Sequence, residues 1–442
     1  MTLSTFPGGI HPPYDKEPTI KEPLREAPLP DIAVIPLIQH IGTPARAVVK
    51  KGDYVEESQI IGASAGFISS NVHSSVYGEV IDIKNAFHPS MGPVESIFVK
   101  RDKTKEKKHY VEIDIEKLSK EEMKEKIRFA GIVGMGGAGF PTHVKLSPPE
   151  GKRIKHLIIN GAECEPYLTC DHILMTKKAH EIIRGIDIVI RILNPENVCI
   201  AIEDNKKAAH FAFKKVLKDV IPKSLRKIKL VSLRTKYPQG GEKQLIKAVS
   251  GLEVPPGGLP MDIGFLVQNV GTIYAIYEAV YFNKPLIERI VTITGDAMYR
   301  PGNFIVRVGS TLKDILDTYG LELFRDPEKI IFGGPMMGVA QPGLDAPVIK
   351  GSSGIVILSG KAVRSYSERQ CIRCAKCVDV CPVNLLPTEI MKNSKKGFWE
   401  QTEALHATDC IECGACAYVC PSRIPLVQYI KTGKSRIAEK RQ

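Results

Sequence analysis

The sequence predicts a multidomain α/β protein, and three patterns predict it. Between residues 119 and 288, strand-like apolar runs alternate with amphipathic helical ones, which implies a parallel sheet with helices on its faces. Between 31 and 100, short apolar runs are separated by glycine turns about every eight to twelve residues, the spacing of an all-β unit. Towards the C-terminus a cysteine run is written twice, from Cys371 and again from Cys410. A chain of 442 residues exceeds one ordinary domain, and about two to four are expected. Its 43% hydrophobic and 25% charged residues are a globular composition.

Residues 1–30 form a proline-rich arm (Pro7, Pro12, Pro13, Pro18, Pro23, Pro28 and Pro30), expected to lie extended over another part of the molecule. The all-β unit follows over 31–100. Its stretches TPARAVVKKGDYVEESQIIG and VHSSVYGEVIDI resemble the barrel-sandwich domains of biotinyl and lipoyl carriers. Those carriers present a lysine at a hairpin tip, whereas no lysine occurs here between Gln59 and Glu79, so a structural or docking sandwich is expected. RDKTKEKKH opens a charged linker, 101–118. A helix begins with Ser119 as N-cap and Glu122 in the capping-box position. Next come a strand at HLIINGAE, one helix through ILMTKKAHEIIRGIDIVI, a strand at NVCIAIED, a helix at AAHFAFKKVLKDVI and a strand at KIKLVSL. An apolar helix runs from Val270 to Tyr281, and the stretch Ile263 to Tyr277, interrupted by Gln268, Asn269 and Thr272, reads as core helix. Residues 289–360 return to short strands around one helix, TLKDILDTYG, as a small α+β unit. Residues 361–442 hold both cysteine runs and a basic tail, KTGKSRIAEKRQ.

CIRCAKCVDVCP and CIECGACAYVCP share the spacing C-x2-C-x2-C-x3-C-P and stand 39 residues apart. Closely spaced sulfurs converge on one face of a tight loop, which the proline ends. This is the ligand run of paired [4Fe–4S] clusters, in which the fourth cysteine of each run serves the other cluster. The crossed pattern gives Cys371, Cys374, Cys377 and Cys420 to one cluster, and Cys410, Cys413, Cys416 and Cys381 to the second. Two structural zinc sites are the competing reading, but zinc leaves the third cysteine and the Cys-Pro step unexplained. Two adjacent clusters move single electrons. Cys164, Cys170 and Cys199 lie outside the runs, and Cys199 reads as a buried hydrophobe.

No segment reaches the roughly eighteen uninterrupted apolar residues of a bilayer span. MTLSTFPGGIHPPYDK lacks the basic and apolar regions of a signal peptide. A reducing cytoplasm is the expected compartment, which also suits thiolates that hold iron. The net charge of +12, from 61 basic and 49 acidic residues, fits docking on a membrane complex or an acidic redox partner. With one tryptophan and no basic run interleaved with aromatics, nucleic acid is not an expected partner.

Gly134, Gly136 and Gly139 satisfy G-x-G-x-x-G, but a helix precedes them rather than a strand, and no G-K-[ST] follows. What the glycines supply is bare backbone N–H groups able to hold a phosphate; a plain tight turn is the competing reading. The longer phrase GMGGAGFPTHVKL resembles the FMN loop of the flavoprotein subunit of respiratory complex I and its hydrogenase relatives. NGAECEPYLTCD, YPQGGEKQLIKAVSG and QNVGTIYAIYEA agree with that family in the same order. GDAMYRPGNFIVRVGSTLKDIL and FGGPMMG resemble its β-grasp (SLBB) domain. With FPGGIHPPYDK in front and the duplicated cysteine run behind, the order of parts is similar to the RnfC family, the C-subunits of Rnf electron-transport complexes, over nearly the whole chain.

That resemblance implies a Rossmann-like FMN/NADH domain over 119–288, an SLBB unit over 289–360 and a helical two-cluster ferredoxin-like domain over 361–442. It implies an FMN held by Gly134, Gly136, Gly137, Ala138, Gly139 and Phe140, with Lys145 near its phosphate and Asn160, Glu163, Glu165 and Asp171 around its ring and ribityl chain. Tyr237, Gly240, Gly241 and Glu242 match the segment beside the nicotinamide, and Asn269 and Thr272 the far wall. Glu165 and Glu242 are then the acids that position NAD(H) for hydride transfer. Met135, Ala162 and Lys243 depart from the complex I pattern, which has an arginine and two acids there. The implied activity passes electrons between NAD(H), FMN and two [4Fe–4S] clusters, because a hydride carries two electrons and a cluster accepts one. The implied setting is peripheral, on the cytoplasmic face of a membrane complex whose other subunits move ions and meet a ferredoxin-type protein. The competing readings are a soluble flavin and iron–sulfur cobalamin reductase of microcompartments and a flavin-free relay adaptor.

Overall fold

The computed structural model describes residues 3–219, 225, 227–319, 323, 326–363 and 366–440. The expected helix ends at Val220–Ile221 and Gly320, and the last two residues of the basic tail, lie outside the described residues.

The N-terminal β unit is a sandwich. One sheet runs in the order Ile32–Pro36, Gly92–Arg101, Gly78–His88, Tyr54–Val55, and the other Arg46–Ala47, Ile60–Ala63, Val72–His73. Inward-facing residues of both sheets (Ile35, Val55, Ile61, Val72, Val80, Ile97 and Val99) share one core.

The central sheet has four parallel strands in the order Ile228–Leu233, Asn197–Glu203, His156–Gly161, Phe265–Asn269. Strands covered on both faces are apolar throughout. Leu157, Ile159, Ile200 and Ile202 face the helices Ala179–Leu193 and Val270–Phe282. Ile158 and Ala201 face Leu245 and Ile246 of the helix Glu242–Ser250. The leading helix, Lys120–Phe129, has the expected capping box: Ser119 Oγ accepts the Glu122 N–H at 3.2 Å and Glu122 Oε2 accepts the Ser119 N–H at 2.7 Å.

Four expectations are corrected. The single helix through ILMTKKAHEIIRGIDIVI is two, Cys170–Lys177 and Ala179–Leu193, because Lys178 leaves helical geometry between them. Phe265–Asn269, read as core helix, is a strand entered through a left-handed Gly264 (φ +75°); a buried strand and a buried helix present the same unbroken apolar run. The arm is not extended throughout: Glu17–Ile20 makes one helical turn and Leu24–Glu26 pairs parallel with Gly302–Arg307. Nor is 101–118 merely a charged linker, since Ile115 is buried in the α/β core and Ile113 and Leu118 pack against it.

The third unit is a mixed six-stranded sheet, in the order Leu24–Glu26, Gly302–Arg307, Glu288–Thr294, Gly354–Ser359, Pro327–Phe332, Val339–Gln341. The helix Leu312–Tyr319 covers it through Leu312 and Ile315.

The C-terminal domain repeats itself. Left-handed Arg373, Ala375 and Asn384 recur as Glu412, Gly414 and Arg423. The helices Lys376–Asp379 and Pro387–Lys396 recur as Ala415–Tyr418 and Leu426–Lys440. Among the described residues no helix is long and apolar enough to cross a membrane.

Candidate functional site

Open parallel α/β sheets bind ligands outside the carboxyl ends of their strands. At that edge Asn160 and Asn269 are register partners on adjacent strands. The glycine loop crosses beside them. Its ends are closed by the Gly134 N–H donating to Phe140 O at 2.8 Å, and Gly136, Gly137 and Ala138 are left exposed. Gly136 is left-handed (φ +70°), and a Cβ there would stand 3.0 Å from Asn269 Nδ2. Around a Cβ on Gly137 nothing lies within 4 Å. Thr272 Oγ1 accepts the Met135 N–H at 2.9 Å, tying the loop to the first turn of the helix Val270–Phe282. Asn269 caps that helix by accepting the Gly271 N–H at 2.7 Å. An open glycine cradle beside a helix N-terminus fits a phosphate.

The other segments singled out in the sequence converge here. Asn269 Nδ2 donates to Asp171 Oδ2 at 2.7 Å, and the Asp171 N–H donates to Glu163 Oε1 at 2.7 Å. Asn160 Nδ2 donates to Gly240 O at 2.9 Å, and the Gly240 N–H reaches Cys164 Sγ at 3.3 Å. A Cβ on Gly240 would come within 2.4 Å of Ala162 O, so only glycine permits this approach. Gly241 is the N-cap of the helix Glu242–Ser250. Lys145 Nζ donates to Glu242 Oε1 at 3.0 Å and to Val267 O at 3.4 Å. In the same segment the fully buried Gln239 has neither amide atom partnered within the protein.

Burial pushes the Glu163 carboxyl up to about 7 against the opposing pull of Lys16, and pushes Glu165 up to about 7. Asp171 is raised for the same reason. Their oxygens are engaged within the protein. Glu163 acts as a surrogate cap for Cys170–Lys177. Glu165 accepts the Met337 N–H at 2.9 Å and the Met336 N–H at 3.2 Å, holding the FGGPMMG loop of the third unit.

Among the buried cations that the sequence did not mark, Lys16, Lys206 and Arg289 stand around this site. Lys16 Nζ donates to Glu163 O at 2.5 Å and Leu168 O at 2.7 Å. Lys206 Nζ donates to Glu203 Oε2 at 2.5 Å and Glu163 O at 3.2 Å. The buried Arg289 guanidinium donates to Ser352 O at 3.2 Å and reaches Met135 Sδ under the glycine loop. A lysine in a polar stretch carries no sign that distant segments will bury it; nothing local marked these positions.

Cys371, Cys374, Cys377 and Cys420 line one cavity of about 430 Å³, which reaches the surface at the exposed Cys374. The Cys377 thiol is pushed up first by burial and further by Cys420. Cys410, Cys413 and Cys416 gather with Cys381 instead. Burial and then the thiols of Cys410 and Cys381 raise Cys413 to about 11, and Cys381 adds to the burial that raises Cys410 and Cys416. Each fourth cysteine thus stands with the three of the other run. The first set surrounds a volume, as a cube of irons requires. The second set abuts the flavin-type site: the Tyr237 hydroxyl donates to Cys413 O at 2.6 Å.

Flavin-dependent iron–sulfur oxidoreductases are the class that such a cradle and such a cysteine domain, packed together, define. Residues 127–278 match the Nuo51 FMN-binding domain model, 4–104 the RnfC barrel sandwich hybrid domain and 370–424 the 4Fe-4S dicluster domain. The chain is 46% identical, over 98% of its length and 94% of the other, to the C-subunit of the proton-translocating ferredoxin:NAD(+) oxidoreductase complex of Clostridium ljungdahlii. It is 43% identical, over 99% of its length and 98% of the other, to the Na(+)-translocating counterpart of Acetobacterium woodii. The C-subunit of an ion-translocating oxidoreductase complex of Pseudomonas aeruginosa is 42% identical over the whole chain, which spans 56% of that longer protein. The chain belongs to this RnfC family. In fold it is similar to an NAD+-reducing [NiFe]-hydrogenase crystallised in the H2-reduced state, with a TM-score of 0.50 at 16% identity over 73% of this chain and 62% of that one.

Proposed function

We propose that this chain is the part of an ion-translocating ferredoxin:NAD+ oxidoreductase complex at which NAD(H) exchanges electrons, by way of one FMN and two [4Fe–4S] clusters, with the rest of the assembly. The observation that carries the reading is the joint between cradle and cysteine domain, where Tyr237 bonds the Cys413 carbonyl at 2.6 Å. A flavin in the cradle and a cluster on Cys381, Cys410, Cys413 and Cys416 would then be held by one packed unit. FMN, when bound, supplies the exchange between a two-electron hydride and single electrons.

The chain's own residues supply the rest. Gly134, Gly136, Gly137, Ala138, Gly139 and Phe140 hold the phosphate end, with Lys145 as the nearby cation. Asn160, Asp171, Asn269 and Thr272 fix the edge on which the ring rests, and Glu163 braces it from behind. Gly240 and Gly241 let the segment from Tyr237 to Glu242 approach, so that Glu242 and Glu165 orient the nicotinamide. Cys371, Cys374, Cys377 and Cys420 hold the outward cluster. The third unit is of the β-grasp (SLBB) type. The protein sits peripherally on the cytoplasmic face, and partner subunits carry ions and meet the ferredoxin-type protein. Likeness to RnfC proteins along the full chain favours this reading over a cobalamin reductase.

Anaerobically purified and reconstituted protein should hold about eight irons with matching sulfide and one FMN for each chain, and its visible absorption should bleach when NADH is added. Iron at that level with no flavin bound would reduce the protein to a relay adaptor and overturn the proposal.

A further inference from the structure

We propose that Gly8 and Gly9 make the N-terminal arm a strap that fixes Cys381, and with it the inward cluster, against the flavin site. The inference rests on the functional reading above and adds the part that sets the spacing between its two halves.

The arm is bonded to both domains at once. On the flavin side, the Ile10 N–H donates to Tyr237 O at 2.8 Å and the Tyr237 N–H donates back to Ile10 O at 2.9 Å. The Ser4 N–H donates to Ser232 O at 3.0 Å, and the Arg234 N–H to Ser4 O at 2.9 Å. Lys236 Nζ, from the same segment, donates to Phe6 O at 2.6 Å and lies 4.3 Å from the Phe6 ring centre. On the cluster side, the Gly9 N–H donates to the carbonyl of Val380, immediately before Cys381, at 2.8 Å. Tyr237 therefore reaches the set by two routes: its hydroxyl holds Cys413, and its backbone holds the arm that is bonded to Val380, the residue before Cys381.

Both glycines are required by geometry. They are left-handed, with φ +73° at Gly8 and +78° at Gly9, where other residues are strained. A Cβ on Gly8 would stand 2.9 Å from Cys381 O and 3.1 Å from Val380 O. On Gly9 it would stand 2.7 Å from Tyr237 O and 2.6 Å from Lys236 Cε. These are mostly backbone atoms, which yield only if a domain moves, so one methyl group becomes a spacer between cradle and cluster. Electron transfer weakens steeply with distance, and a site keeps its spacing only when its supports are rigid.

Gly8→Ala tests this in the reconstituted full-length protein. Gly52→Ala is the control for backbone strain alone, because Gly52 is also left-handed (φ +91°) yet nothing lies within 4 Å of its Cβ. Wild-type protein is assayed first; absence of flavin or iron there overturns the functional reading and leaves the arm's contacts untouched. In Gly8→Ala, FMN content, iron content and the rate at which NADH bleaches the flavin stay at the wild-type level. The following bleaching of the iron–sulfur absorbance slows several-fold, and the paramagnetic resonance signal of one reduced cluster shifts while the other does not. Gly52→Ala changes neither. A fully loaded Gly8→Ala with unaltered rate and signal overturns the strap. Should Gly8→Ala fail to load, Lys236→Met, which frees Phe6 O without adding an atom against Cys381, is read by the same two outcomes.

Discussion

The two cysteine runs share one backbone and meet opposite surroundings. In the first, Cys374 is exposed, Ile372 is 67% exposed and the cavity wall includes Arg373 and Lys376. At the equivalent places in the second stand the half-buried Ile411 and Glu412 and the fully buried Ala415. Ala375 keeps its side chain in a left-handed conformation (φ +59°) at an exposed position. Its counterpart is Gly414, where a Cβ would stand 3.1 Å from Met336 O. One copy of a duplicated motif has been fitted to its own protein, and the other has been left as a surface. The difference gives the pair an inside and an outside: the inward set faces the flavin-type site, and the outward set faces away from it.

The comparison is broken most severely by removing one ligand from each set. Cys413→Ser and Cys374→Ser should each lose about four irons, yet only Cys413→Ser should leave the surviving cluster oxidised after NADH has bleached the flavin. Iron analysis with stopped-flow absorbance reads both. If the two variants behave alike, the inward and outward assignment is wrong.

Next in size is an exchange of the left-handed residues. Gly414→Val adds strain of about 1–3 kcal/mol and overpacks against Met336, lowering the unfolding midpoint of the loaded protein. Ala375→Gly relieves strain at an exposed site and should leave the midpoint unchanged or raise it. Tyr237→Phe comes third. It leaves the Cys413 carbonyl without its donor, at about 1–3 kcal/mol, and should move the reduction potential of the inward cluster while sparing the outward one. Redox titration followed by paramagnetic resonance separates the two.

The smallest effect is on pH. Burial raises Glu165 from its ordinary 4.5 to about 7, so the fold favours the protonated form. The stability this contributes is present in full below about 4.5 and is lost as pH rises through about 7. The Met336 and Met337 N–H groups that donate to Glu165 oppose the shift, because they bond the ionised carboxylate more strongly. Glu165→Gln should flatten the fall in unfolding midpoint between about pH 5 and pH 8 relative to wild type.

Legibility in the sequence followed the distance over which each feature is built. The cysteine sets were readable because each takes most of its ligands from one short run and the last follows from the duplication. The capping box at Ser119 was readable for the same reason. The contact of Tyr237 with Cys413 joins segments 176 residues apart, and nothing in either predicts it. Buried Lys16, Lys206 and Arg289 were unreadable because their partners include backbone carbonyls and a thioether supplied by distant segments. The strand Phe265–Asn269 was lost because its apolar run merges into the helix after it.

The strap also constrains how the protein is made. Residues 4–16 leave the ribosome long before Ser232–Tyr237, their partners on the flavin side, and longer still before Val380, so the arm waits for its last partner through most of synthesis. Its prolines suit that wait, since an extended proline-rich segment offers few N–H groups for premature pairing. Closure of the arm on Val380 therefore comes late in folding, and a chain arrested before its C-terminal domain has formed should display a more protease-sensitive N-terminus than the mature protein.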